Sequence, residues 1–134
     1  MKKTFTRWMQ IIRAQYLILC VALSIIGNSV AWVTGSFKWS TAVISLLGLL
    51  FAHASVNIFN DYFDHKSGID KETKKSPFNG GSGSIQDKII SPKQTFIAGI
   101  VTLIIAIFIG VYFIIQTNWQ LIPLLVLAGL IIVL

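Results

Sequence analysis

A cluster of acidic and amide side chains ends the second apolar segment of the sequence, within NIFNDYFDHKSGID at positions 57–70. Asn60 and Asp64 are four residues apart, and Asp61 and Asp64 are three apart, so a helix brings their oxygens to one face. Clustered carboxylates repel one another unless they share a cation or a proton. Hard oxygen ligands suit Mg²⁺, which usually binds a few carboxylates together with phosphates and water. The spacing therefore predicts a site for magnesium and a phosphate compound.

A polar stripe extends this cluster along the helix predicted for the same segment. At 100° per residue, one face of the helix carries four polar side chains: His53, Asn57, Asn60 and Asp64. Asp61 lies at the edge of that face. Polar groups at membrane depth are costly unless they face a bundle interior or a wet cavity, so we expect the stripe to point inward.

Lysines and glycines follow the stripe in the next loop. Lysine is a point-charge partner for phosphate, and the candidates are Lys66, Lys71, Lys74 and Lys75. In SPFNGGSGSI the backbone could approach an anion closely at Gly80, Gly81 and Gly83. Either feature alone is more typical of a solvated loop or a flexible linker. The prediction of a diphosphate site depends on their combination with the acidic stripe.

The composition indicates the class of protein that carries these residues. Of 134 residues, 54% are hydrophobic and 12% are charged, and the mean hydropathy is +0.75. Several continuous apolar runs reach the ~20 residues that a helix needs to cross a hydrocarbon core. We predict one all-α domain, a multi-span transmembrane bundle of about four helices. The spans are expected at about 15–33, 39–62, 95–115 and 119–134, with a loop at about 65–93.

Basic residues predict the orientation of this bundle in the cell membrane. The link between the first two spans carries only Lys38, and the link between the last two carries no basic residue. The positive-inside rule therefore places the N-terminus and the 65–93 loop in the cytosol. Three tryptophans fall at the opposite ends of the spans, where an interfacial belt is expected: Trp32, Trp39 and Trp119. The net charge of +6 is explained by this topology, so no nucleic-acid partner is expected.

The motif NDYFDHKSGID at positions 60–70 resembles the first aspartate-rich motif of the UbiA superfamily of intramembrane prenyltransferases. It is most similar to the branch that prenylates 1,4-dihydroxy-2-naphthoate in menaquinone synthesis, where an Asn-Asp pair, an Asp and Gly-x-Asp are the common form. SPFNGGSGSI is similar to the loop of that family. IIRAQYL at positions 11–17 is similar to its opening helix, with Ala14 where a proline often stands.

The resemblance implies an activity and a set of residue roles. The activity is Mg²⁺-dependent transfer of a prenyl group from a prenyl diphosphate to an aromatic acceptor, within a lipid bilayer. It implies metal binding by Asn60, Asp64 and Asp70, and a catalytic role for Asp61 and Asp64. On the diphosphate and substrate side it implies Arg13, Asn57, Lys66 and Lys71. A further family aspartate often stands where this chain has Gly68, which makes Asp70 the candidate for that role.

The resemblance also carries an expectation about the extent of the chain. The family has about nine helices and a second aspartate-rich motif that faces the first, whereas no acidic residue follows Asp87 here. We therefore expect the N-terminal half of a larger bundle, inactive alone, with a missing C-terminal half or a second chain completing the site. Three alternatives remain open: a divalent-cation or proton transporter subunit, a phosphatidyltransferase lacking the usual Asp-Gly-x-x-Ala-Arg opening, and a non-catalytic membrane fragment.

Overall fold

The computed structural model describes residues 2–69 and 82–133, and every regular element within these ranges is helical. The five α-helices are α1 (Lys2–Ile11), α2 (Ile18–Val33), α3 (Trp39–Ser67), α4 (Pro92–Gln116) and α5 (Ile122–Val133). Short 3-10 turns at Ala14–Tyr16 and Trp119–Leu121 precede α2 and α5. The all-α fold class predicted from the sequence is confirmed.

Three segments are long and apolar enough to cross a membrane: Ala14–Val33, Trp39–Ser67 and Pro92–Gln116. The chain is therefore an integral membrane protein. The fourth predicted segment forms a shorter apolar helix, from Trp119 to Ile132. α3 continues past the predicted limit at position 62, so the whole acidic cluster up to Asp64 is helical.

α1 is a helix that the sequence analysis did not predict. Its sequence is KKTFTRWMQI, with a polar and an apolar side. Ile11 at its end is buried together with Ile58 of α3 and Ile90 of the segment before α4, and Trp8 packs against the same core. A long apolar run is the main sequence signal of a membrane helix, and this short mixed segment lacks it.

α3 is the central element, because it contacts each of the other four helices. It runs antiparallel to α4, since Phe59 of α3 meets Gly99 of α4 while Gly48 of α3 meets Ile109 of α4. The far ends of α2 and α4 and the start of α3 therefore lie on one side of the bundle. Three exposed tryptophans occupy that side, as an interfacial belt would require: Trp32, Trp39 and Trp119.

The two halves of the α3–α4 pair differ in packing. In the packed half, residues 54–61 of α3 include most of the buried side chains of that helix, and Gly99 and Thr95 of α4 are also buried. In the open half, residues 45–52 of α3 border an apolar cavity of about 740 Å³ between α3, α4 and α5. The polar cluster identified in the sequence lies in the packed half and just beyond it.

Candidate functional site

The polar residues of α3 form two pairs, each separated by four positions. The inner pair is Asn57 and Asp61, whose residues are 6% and 3% exposed. The outer pair is Asn60, which is exposed, and Asp64, which is half-buried. A difference of three positions turns a side chain about 60° around the helix, so the two pairs lie side by side on neighbouring faces.

Asn57 is hydrogen-bonded to the backbone of the junction between α1 and α2. Its Nδ2 donates to the carbonyl oxygen of Ile12 at 3.1 Å. Ile12 lies between α1 and the 3-10 turn at Ala14–Tyr16, and the next residue, Arg13, has the left-handed values φ 51° and ψ 54°. The resemblance placed Asn57 on the substrate side, and the structure turns its amide group toward the protein backbone.

Asp61 is hydrogen-bonded to Ser82 through both carboxylate oxygens. The backbone N–H of Ser82 donates to Oδ1 at 2.7 Å, and the Ser82 hydroxyl donates to Oδ2 at 2.6 Å. The carbonyl of Ser82 accepts from Nη1 of Arg7 at 3.4 Å. Nη2 of the same Arg7 lies 3.0 Å from Oδ2 of Asp87. Asp61 therefore joins α3 to the segment at 82–90 and, through Ser82, to α1.

The outer pair differs from the inner pair in its exposure. The side chain of Asn60 makes no hydrogen bond with the residues that the structure describes. The backbone carbonyl of Asp64 accepts from the N–H of Gly68 at 3.1 Å, where α3 ends. Gly68 has φ 82°, a left-handed conformation that favours glycine at a helix C-terminus.

Two basic residues lie near the polar residues of α3 in the described part of the chain. Lys66 is exposed in the last turn of the helix, two positions after Asp64, and residues at that spacing do not share a helix face. Arg13 is half-buried and lies near enough to His53 for a charge interaction. Nε2 of His53 is buried without a hydrogen-bond partner among the described residues. Of the two cations, Arg13 is therefore the one beside the polar face.

Two of the predicted site residues, Asp70 and Lys71, lie outside the described residues. The same holds for Lys74, Lys75, Gly80 and Gly81 of the lysine- and glycine-rich loop. The predictions for these positions therefore stay predictions. Gly83 lies within the described part, where its φ of 69° starts the turn that leads to α4.

The donor set of the outer pair fits a magnesium ion that is shared with a substrate. Within residues 2–69 and 82–133, no three His, Cys, Asp or Glu side chains come together as a metal site. α3 therefore offers an amide oxygen from Asn60 and a carboxylate from Asp64, not a full set of ligands. Mg²⁺ commonly accepts this arrangement, because it keeps several waters and binds substrate phosphates alongside one or two carboxylates.

Sequence reasoning missed the partners of the inner pair. Ser82 is 21 positions from Asp61, and Arg7 is 75 positions from Ser82. Such separations leave no local signal that Arg7, ahead of the first span, meets Asp87 in the loop before α4. The signal that could have drawn attention to Asp61 is its offset from the stripe, since it points to a different neighbour.

Fold and site together define an integral membrane protein in which one helix carries a cluster of amide and carboxylate side chains near the end of a membrane span. The sequence profile of the UbiA prenyltransferase family matches residues 13–134, and the chain belongs to that family. Typical members transfer prenyl groups from prenyl diphosphates and depend on Mg²⁺. No curated protein and no solved structure matches the chain.

Proposed function

We propose that this chain acts in the Mg²⁺-dependent transfer of a prenyl group from a prenyl diphosphate to an aromatic acceptor such as 1,4-dihydroxy-2-naphthoate. The observation that carries the proposal is the position of the outer pair, Asn60 and Asp64, one turn apart near the end of a membrane-spanning helix in a member of the UbiA family. The preference for a naphthoate acceptor, and with it a role in menaquinone synthesis, rests on the sequence resemblance at positions 60–70.

Different residues of the chain would bind the cation and neutralise the diphosphate. Asn60 and Asp64 would hold the cation through one oxygen each, and Arg13 and Lys66 would neutralise diphosphate oxygens from the protein side. When bound, the cation withdraws charge from the diphosphate as it leaves the prenyl carbon. Preorganised positive charge from Arg13 and Lys66 favours the same departure, because it acts where negative charge develops. The electron-rich ring of the acceptor would then attack the prenyl carbon as the diphosphate leaves. With a naphthoate acceptor the substituted ring carbon would lose its carboxylate as CO₂, which restores the aromatic ring.

The apolar cavity supports a substrate that is partly hydrocarbon. Its volume is about 740 Å³, and its lining is almost entirely apolar. Ala52 of α3 lines it eight positions before Asn60, which is about 12 Å along a helix. A prenyl chain of a few isoprene units held at the outer pair could extend over that distance. Such a chain would keep its apolar surface out of water.

We also propose that the outer pair forms one acidic side of the site and that a second acidic motif faces it. The described acidic residues are Asp61, Asp64 and Asp87, and the outer pair contains one of them. One carboxylate and one amide oxygen fill only two of the about six octahedral positions of a Mg²⁺ ion. A partner motif, from further chain or from a second molecule, would supply carboxylate ligands for additional Mg²⁺, and that Mg²⁺ would neutralise the departing diphosphate.

Binding to the purified chain tests the proposal directly. Titration with Mg²⁺ and geranylgeranyl diphosphate in lipid nanodiscs should give saturable binding that depends on both components. Asp64→Ala should weaken it at least about tenfold, since a carboxylate ligand to the metal is lost. Asp87→Ala is the matched control, because it removes an equal charge from a half-exposed ion pair with Arg7. Equal binding by wild type and Asp64→Ala would contradict the proposal.

The acceptor is tested by product analysis in membranes. We expect the protein completed by its second acidic motif to prenylate 1,4-dihydroxy-2-naphthoate in preference to 4-hydroxybenzoate, and Asp64→Ala to abolish the product. A preference for the benzoate would refute the naphthoate assignment and leave the prenyl diphosphate site intact. Turnover by the 134-residue chain alone at ~1 s⁻¹ or faster, an ordinary enzymatic rate, would contradict the need for a second motif.

The orientation of the site is part of the proposal. The segment before the first span carries four basic residues, and the 65–93 loop carries six lysines. By the positive-inside rule this supports a cytosolic position for the outer pair. Reporters fused after Lys75 and after Thr117 should read cytosolic and external, respectively. The reverse result would place the outer pair on the other side of the membrane.

A further inference from the structure

The backbone of Arg13 has a conformation that residues with a Cβ rarely adopt. Its φ of 51° and ψ of 54° lie in the left-handed region, where the Cβ crowds a neighbouring carbonyl oxygen. Among the described residues other than glycine, only Lys88 shares a positive φ. A strained residue of this kind persists only where its surroundings hold it in place.

A side chain from α3 fixes the backbone next to Arg13. Asn57 is buried, and its amide donates to the carbonyl of Ile12, the residue directly before Arg13. The two partners are 45 positions apart in sequence, so the bond attaches the α1–α2 junction to the central helix. Loss of the donor would leave a backbone carbonyl in a largely buried place without this partner, which favours a different junction conformation.

A second set of hydrogen bonds connects α1 to α3, through Ser82. Arg7 of α1 donates to the carbonyl of Ser82, and both donors of Ser82 are bound by the carboxylate of Asp61. Asp61 lies one helical turn after Asn57 on α3. The inner pair therefore fixes α1 at its middle, through Arg7, and just beyond its end, through Ile12.

We propose that Asn57 and Asp61 are positioning residues for Arg13 and act through the backbone of the α1–α2 junction. The proposal rests on the proposed function, in which Arg13 contacts the diphosphate. Arg13 lies near His53, which stands one turn before Asn57, so its charge is placed beside the polar face of α3. The outer pair meets the ligand, and the inner pair fixes the guanidinium that meets the same ligand.

A double-mutant cycle tests this division of roles. The probe is inorganic pyrophosphate with Mg²⁺, titrated into the full 134-residue chain in nanodiscs. Asn57→Ala and Arg13→Ala should each weaken pyrophosphate binding about tenfold, because either change removes the guanidinium from the anion. The double variant should bind no more weakly than Arg13→Ala, since Asn57 has nothing left to position.

A matched control separates positioning from general loss of stability. Ser55 is a fully buried polar residue of the same helix, and its hydroxyl donates to the carbonyl of Gly99, away from α1. Ser55→Ala should lower the temperature of unfolding and leave the pyrophosphate affinity within about twofold of wild type. If Asn57→Ala yields no folded protein, Ser82→Ala replaces it, because it removes one of the two donors to Asp61.

The outcomes distinguish this inference from the proposed function. A folded Asn57→Ala or Ser82→Ala variant with wild-type affinity would overturn the positioning role. A double variant weakened about a hundredfold would also overturn it, since Asn57 would then bind the ligand independently of Arg13. If Arg13→Ala and Asp64→Ala both bind as wild type does, the proposed diphosphate site itself fails, and the positioning role fails with it.

Discussion

The packed half and the open half of the α3–α4 pair belong to the same two apolar helices, yet they are built differently. In the packed half, Phe59 fills the space over Gly99, and Ser55 bonds to the Gly99 carbonyl at 3.2 Å. In the open half, Gly48 and Ile109 meet at the border of a cavity of about 740 Å³. Polar attachment and close packing therefore coincide at the end that carries the candidate site.

This difference has a physical reason and a functional one. Between helices in lipid, association depends on close packing and hydrogen bonds, because the surrounding chains are as apolar as the side chains. The packed half has both, so it holds the outer pair and the α1–α2 junction in one geometry. The open half lacks such bonds across its cavity and can yield to an apolar ligand. A rigid packed half beside the candidate site and an open half with an apolar cavity would suit a substrate that has a charged head and an apolar chain.

The largest expected effect concerns the buried carboxylate of the packed half. Asp61→Ala should lower the free energy of unfolding by about 2–4 kcal/mol, because two hydrogen bonds to a charged group are lost and the Ser82 N–H loses its partner. Asp87→Ala should cost less than about 1 kcal/mol, since its ion pair is 43% exposed on the aspartate side. Unfolding by SDS in mixed micelles measures both. Equal losses would show that Asp61 is not a structural anchor.

Two glycines with the same close contact should respond differently to alanine. A Cβ at Gly99 would lie 2.9 Å from the ring of the buried Phe59, and a Cβ at Gly48 would lie 2.9 Å from the Cγ2 of Ile109. Relative to Gly27→Ala, where nothing lies within 4 Å, we expect Gly99→Ala to lose about 1–3 kcal/mol of stability. Gly48→Ala should lose under about 1 kcal/mol, because Ile109 can move toward the cavity.

A larger loss of stability for Gly48→Ala than for Gly99→Ala would contradict the difference in packing between the two halves. The same micelle titration measures all three glycine variants. Gly27→Ala matters as the reference, because replacing a helical glycine by alanine has its own favourable contribution of about 1 kcal/mol. Only the differences from that variant report on the contacts with Phe59 and Ile109.

Replacing either of two alanines on α3 by leucine tests the difference in packing between the two halves, because leucine adds side-chain volume. Ala54 is buried, whereas Ala52 lines the cavity. Ala54→Leu should destabilise by about 1–3 kcal/mol through overpacking, and Ala52→Leu should be neutral or stabilise by up to about 1 kcal/mol. Ala52→Leu should also weaken binding of geranylgeranyl diphosphate more than that of pyrophosphate. Equal weakening of both ligands would exclude the cavity as the place of the prenyl chain.

The smallest expected effect is the loss of one hydrogen bond in the packed half. Ser55→Ala should cost about 0.5–1 kcal/mol, because the Gly99 carbonyl still accepts from Oγ1 of Thr102 at 3.0 Å. Thermal unfolding in micelles, compared with the exposed and similarly small change Ser29→Ala, measures it. A loss above about 2 kcal/mol would mean that the Ser55 bond, and not the Phe59 contact, governs the packed half.

The sequence by itself determined the helical class, the three long apolar helices and the acidic end of α3. Long apolar runs indicate membrane helices without knowledge of their neighbours, because lipid requires each backbone to satisfy its own hydrogen bonds. The spacing of Asn60 and Asp64 follows from helix geometry alone. The family was also readable from local motifs, since the match over residues 13–134 agrees with the resemblance at positions 60–70.

Only the tertiary structure decided which polar residues of α3 bond to distant segments of the chain, as Asn57 does to Ile12 and Asp61 to Ser82. His53, Asn57, Asn60 and Asp64 lie on one face by periodicity, and nothing local distinguishes the member that binds Ile12. Asp61 meets Ser82 because the chain returns to α3 after the loop, and that return is a property of the whole fold. A hydrogen bond needs a partner within about 3 Å, and sequence spacing predicts such proximity only within one helix.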